Sequence, residues 1–131
     1  MDKKAAKAAY KASPRPMGIF QIRNIVNNKV FVGSSVDLRA IFNRIRFQLY
    51  GGVHPVRKLC SDWREFGTTK FEFEVLEELT QNLDDHDYTS DLEALEDLWL
   101  EKLSPYGDRG YNEPKKSREE RLRLIAANRN A

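Results

Sequence analysis

The sequence predicts a small α+β domain, a short antiparallel sheet flanked by helices. Three observations carry this. Residues 70–77 alternate, with Phe71, Phe73 and Val75 on one side and Glu72 and Glu74 on the other, the signature of a half-buried strand. Two β-type runs, 17–24 and 29–34, flank Asn27-Asn28, a pair that tolerates left-handed backbone and so predicts a hairpin. Two further segments repeat apolar residues at three and four, the stripe of an amphipathic helix. The chain has 131 residues, which suits one domain able to bury roughly two-thirds of its unfolded surface.

The elements follow in order. Residues 3–12 are rich in alanine and lysine and favour helix, and Ser13-Pro14-Arg15-Pro16 stops it as a linker. After the hairpin, Ser35 or Asp37 caps a helix whose stripe is Leu38, Ile41, Phe42, Ile45 and Leu49, ended by Gly51-Gly52. A shorter helix is expected over 55–66, with Pro55 in its first turn and Gly67 beyond its end. The third strand is followed by an acidic loop over 84–91, then a helix over 92–103 stopped by Ser104-Pro105. A turn-rich stretch, 106–112, precedes a terminal helix over 118–128. The expected division is a basic N-terminal helix and linker (1–16), a core domain (17–113) and a basic C-terminal tail (114–131).

Net charge is +2, from 22 basic and 20 acidic residues, but the charges are segregated. Residues 1–16, 39–70 and 115–131 are basic, at +4, +5 and +4, whereas 72–97 hold eleven acids and no lysine or arginine. Such segregation suits a face that tracks phosphates, and Arg39, Arg57 and Lys58 of the central block are the expected nucleic-acid contacts. The single cysteine, Cys60, excludes an internal disulfide framework and fits a reducing, cytoplasmic setting. No apolar run approaches the roughly 20 residues of a membrane span, and the N-terminal stretch lacks the apolar core of a secretory signal.

Chemistry concentrates on few residues. Glu96 falls within the stripe of Leu92, Leu95, Trp99 and Leu103, and a carboxylate there needs a cation, a metal or hydrogen bonds. It is either a metal ligand or catalytic acid–base group, or a stripe-edge glutamate paired with an arginine. His54 and His86 are the only histidines, too few with Cys60 for a structural zinc site. Gly18 and Gly33 lie in strands, where glycine marks a bulge or a close backbone approach.

Gly18-Ile19-Phe20, ten residues, then Phe31-Val32-Gly33 resembles the paired motif of the GIY-YIG nucleases. The resemblance continues through Gly33-Ser34-Ser35, the strand 71–76, Leu95-Glu96-Asp97-Leu98-Trp99-Leu100 and Gly110-Tyr111-Asn112, covering about 95 of the 131 residues. It implies a three-stranded antiparallel sheet with flanking helices. It also implies a DNA endonuclease that hydrolyses phosphodiester bonds with one divalent ion, Mg²⁺ or Mn²⁺. Glu96 matches the family's metal-binding glutamate and Asn112 its late asparagine. The family's tyrosines are Phe20 and Phe31 here, which lack the O–H and are expected to pack as core aromatics. The family's arginine aligns with Ile41, leaving Arg44 or Arg46 to reach the phosphate, and His54 is the candidate replacement base. The alternative is a catalytically degenerate domain that binds nucleic acid or protein. One site per chain cutting two strands implies two visits, a homodimer or a protein partner.

Overall fold

The computed structural model describes residues 15–115 and 118–129. The expected helix over 3–12 lies outside the described residues. Strands β1 (Gly18–Asn24), β2 (Val30–Ser35) and β3 (Phe71–Glu78) form one antiparallel sheet in the order β2-β1-β3. The hairpin turns at Asn28, whose φ of 61° is the left-handed backbone that asparagine accommodates.

Helices α1 (Leu38–Tyr50) and α2 (Arg57–Phe66) cover one face of the sheet. Their buried Leu38, Ile45, Leu49, Leu59 and Trp63 pack on Phe20, Ile22 and Phe71. Helix α3 (Thr89–Leu103) covers the other face, where Leu92 and Leu100 meet Ile19 and Val32. Each such side chain contributes roughly 1.5–3 kcal/mol by leaving water. Helix α4 (Arg118–Arg129) buries none of its residues. Among the described residues, no helix is long and apolar enough to cross a membrane.

Local chemistry sets the element boundaries. Asp37 caps α1, its Oδ1 accepting from the Ala40 N–H at 3.1 Å, and Ser35 Oγ in turn accepts from the Asp37 N–H. Helix α2 starts at Arg57 rather than at the expected Pro55, because the Val56 N–H is taken by His54 Nδ1 at 3.1 Å. Helix α3 starts three residues earlier than expected. Asp87 Oδ1 accepts from both the N–H and the hydroxyl of Thr89, and so recruits the end of the acidic loop into the first turn.

A bulge interrupts the alternation of β3. Ile19 pairs with Glu77 and Phe20 with Val75, so Leu76 is the extra residue. Leu76 joins the α3 cluster, and Val75, expected among the buried positions, stays 44% exposed on the edge strand. Gly18 sits beside the bulge, where a Cβ would lie 2.0 Å from the Glu77 carbonyl oxygen. Gly33, opposite Phe20, leaves room for that ring, whose Cζ would be 2.7 Å from a Cβ.

Candidate functional site

The turn after α3 is fastened to the sheet by Asn112. Its side-chain Oδ1 accepts from the Val32 N–H and its Nδ2 donates to the Val32 carbonyl, both at 2.8 Å. The asparagine amide thus completes the free edge of β2 as an additional strand residue would. That edge, α1 and α3 enclose a cleft of about 540 Å³.

The cleft has an apolar floor and a polar rim. Phe20, Phe31, Ile41 and Ile45 form the floor; Ser34, Arg44, Gln48, His54, Glu96, Asn112 and Lys115 contribute the polar groups. Phe20 and Phe31 face each other at 6.3 Å, and Phe42 meets Phe20 edge-on at 5.6 Å. Phe20 is a buried core residue and Phe31, half-buried, packs against that core; both also line the cleft.

Glu96 enters from α3, half-buried, and its Oε2 accepts from the Ser34 hydroxyl at 2.6 Å. Its other oxygen has no protein partner among the described residues. The alternative of a pairing with an arginine is not what the structure contains. Among the described residues no three His, Cys, Asp or Glu side chains gather into a ligand cluster. Glu96 can thus hold only an ion that draws most of its ligands from water and substrate oxygens, which is the habit of Mg²⁺.

The two candidate arginines part company. Arg44 lines the cleft. Arg46 lies outside that lining, exposed, with its guanidinium 4.2 Å from the centroid of the Phe73 ring, a cation–π contact. Arg39 is exposed at the start of α1. Arg57 and Lys58 line an adjoining groove with Gly107 and Asp108. There the Lys58 ammonium approaches that of Lys29 and, with some burial, lowers the latter's pKa.

His54 does not have the arrangement of a base. It is 7% exposed, edge-on to Phe31 at 5.6 Å, and its Nδ1 lone pair accepts the Val56 N–H. Burial pushes its pKa below the ordinary value, which keeps the ring neutral. With Nδ1 occupied as an acceptor, the proton resides on Nε2, and the ring offers the cleft a donor.

Sequence reasoning missed two groups. Ser34, a motif position with no assigned role, is the hydrogen-bond partner of Glu96; its signal is a hydroxyl directly after the motif glycine. Lys115, counted only as tail charge, lines the cleft and holds Asp97 at 2.7 Å. Burial works against its charge, but the Asp97 hydrogen bond and the fields of Glu96, Asp97 and Glu93 outweigh it and raise its pKa.

The fold is shared with the catalytic domain of the homing endonuclease I-TevI, at a TM-score of 0.63 and 31% identity over 76% of this chain and 99% of that domain. A mutant of the same domain aligns equally well, with 31% identity and a TM-score of 0.63 over 78% of this chain and 97% of that one. A three-stranded sheet whose motif hairpin faces a helix-borne glutamate defines the GIY-YIG nucleases, and this chain belongs to that family. It is also similar to intron-associated endonuclease 1 of Enterobacteria phage T4, 35% identical over 96 residues, which make up 72% of this chain. The match spans 36% of that relative's length. No family model matches the chain.

Proposed function

We propose that this domain hydrolyses phosphodiester bonds in DNA, with Glu96 holding one Mg²⁺ or Mn²⁺ ion in the cleft. The observation that supports it is the state of Glu96: one oxygen fixed by Ser34, the other without a protein partner among the described residues, in a cleft that also contains Arg44. When bound, the ion would polarise the phosphate and offset its developing charge. Arg44 contacts a phosphate oxygen from the α1 wall, and Lys115 adds positive charge from the other side. His54 donates from Nε2 to a phosphate or water oxygen. Asn112 positions rather than reacts, since both ends of its amide hold the Val32 backbone. Arg39, Arg57 and Lys58 carry the flanking DNA backbone. Arg46, committed to Phe73, is left out of the reaction.

The test is incubation of single-stranded, duplex and branched DNA with Mg²⁺ or Mn²⁺, beside a Glu96→Ala variant. Metal-dependent cleavage by the wild type that the variant lacks supports the reading. The floor of the cleft favours a second one. Phe20, Phe31 and Ile41 present carbon where the family carries hydroxyls and a guanidinium, which suits a domain that binds DNA without cutting it. If wild type and variant retain DNA equally and neither cuts, that second reading replaces the first. Breaks in both strands would require two copies or two visits, and sedimentation with and without DNA tells a homodimer from a monomer. The free, half-buried Cys60 suits the reducing conditions of a cytoplasm.

A further inference from the structure

We infer that the outer face of α1 stacks on unpaired nucleic-acid bases, with Phe47 as the platform. Phe47 is 78% exposed, Tyr50 69% and Val53 66%, an apolar ridge along the last turn of α1 and the loop beyond it. Phe47 and Tyr50 are neighbours at i and i+3. Phe47 has no ring partner among the described residues, whereas Tyr50 is braced edge-on against Trp63 at 5.4 Å. The ridge is therefore apolar surface left in water, with one ring braced and the other free to meet a ligand.

Its surroundings are cationic. Helix α1 carries Arg39, Arg44 and Arg46 and no acid. Val53 also lines a groove of about 680 Å³ with Arg57 and Arg64, where Glu65 is the only acid among the described residues. An apolar ridge with guanidinium groups nearby complements a polyanion that also has apolar faces, and unpaired bases on a phosphate backbone are such a ligand. A duplex hides its base faces and offers the ridge nothing to stack on.

The helix also fixes the spacing. Arg44 and Gln48 line the cleft; Phe47, outside that lining, is the i+3 neighbour of Arg44 on α1, about 4.5 Å further along the axis. A strand whose phosphate rests on Arg44 brings its neighbouring base to the Phe47 ring. This rests on the reading of the cleft as a DNA site, and it specifies the substrate as single-stranded or branch-point DNA.

The experiment compares the full-length wild type, Phe47→Ala and Phe47→Trp, by anisotropy of a labelled single strand and of the duplex of the same sequence. We expect Phe47→Ala to weaken single-strand binding roughly 5- to 150-fold, and duplex binding less than about twofold. Phe47→Trp should keep the single-strand affinity, and its added emission should be quenched on binding. Unchanged single-strand affinity in Phe47→Ala, or unquenched emission in Phe47→Trp, overturns the inference while leaving the DNA reading intact. Absence of wild-type binding to either DNA at low salt removes the DNA reading and this inference with it. A wild type that sediments as a dimer and a Phe47→Ala chain that sediments as a monomer would assign the ridge to a second copy instead. An unchanged thermal midpoint shows that the variants differ only at the surface.

Discussion

Two acids in this domain interrupt the apolar stripe of a helix, and they end in opposite circumstances. Asp62 shares the stripe of α2 with Leu59, Trp63 and Phe66; Glu96 shares that of α3 with Leu92, Leu95 and Trp99. Asp62 is 9% exposed and accepts the Tyr111 hydroxyl at 2.7 Å, while that oxygen accepts from Asn24 Nδ2 at 3.1 Å. The chain of bonds closes inside the protein and ties α2, β1 and the 106–112 turn together. Among the described residues Glu96 also accepts one side-chain bond, from Ser34, but it does so in the lining of a cleft. An inward acid marks a desolvation cost that must be offset. Asp62 is shut in beside a donor that is itself tied to β1, whereas Glu96 is half-buried and lines a cleft. The largest titration anomaly follows the scaffold: burial first, then the bond to Asp62, pushes the Tyr111 phenol up to about 12.

The contrast is broken most directly at its chemical pole. Glu96→Gln keeps shape and removes charge, so it should cut metal-dependent cleavage by about 10²–10³-fold while leaving the thermal midpoint in place. A variant that loses stability instead would place Glu96 with Asp62 in the scaffold. The structural pole responds the other way. Tyr111→Phe leaves Asp62 and Asn24 without their shared partner, and should cost about 1–3 kcal/mol in urea unfolding with the metal dependence of cleavage unaltered. Asn112→Ala comes next. It removes two bonds to Val32, each about 0.5–1.5 kcal/mol, and the Val32 amide should exchange with solvent measurably faster. Unchanged exchange would mean that Asn112 does not hold the edge of β2.

The parts of this architecture that sequence periodicity reads are those where burial alone decides. The hairpin, the α1 stripe and the inward Glu96 all follow from period and turn chemistry. The stripe of α2 displays the same signal at Asp62, and nothing local says that Tyr111, 49 residues away, will satisfy it. The bulge at Leu76 depends on a cross-strand close approach at Gly18, a tertiary event. Arg44 and Arg46 stand about 200° apart around α1 and so project to opposite flanks, but nothing local says which flank becomes the cleft and which meets Phe73. Ser34 and Lys115 escaped notice because a hydroxyl and a tail lysine gain meaning only from their distance to α3.

His54 sharpens the comparison with the smallest effect, because it combines both conditions: an Nδ1 spent on the Val56 N–H and an Nε2 without a protein partner among the described residues. Burial lowers its pKa below 6.5, so the unfolded chain takes up the proton first as the solution is acidified. Its contribution to stability is therefore complete above about pH 6.5 and is lost as pH falls through that value toward the lower folded pKa, with a slope below about 1.4 kcal/mol per pH unit. Urea midpoints of the wild type should decline over that window more steeply than those of His54→Gln, which cannot titrate. The same variant decides the ring's chemical role. A glutamine retains an N–H donor, so loss of a donor-only histidine should be tolerated within about tenfold in cleavage rate, whereas loss of a general base costs about 10²–10⁴-fold. A deficit of the larger size, accompanied by loss of the acid limb of the pH–rate profile, would mean that the Val56 bond gives way when DNA binds and that His54 accepts a proton after all.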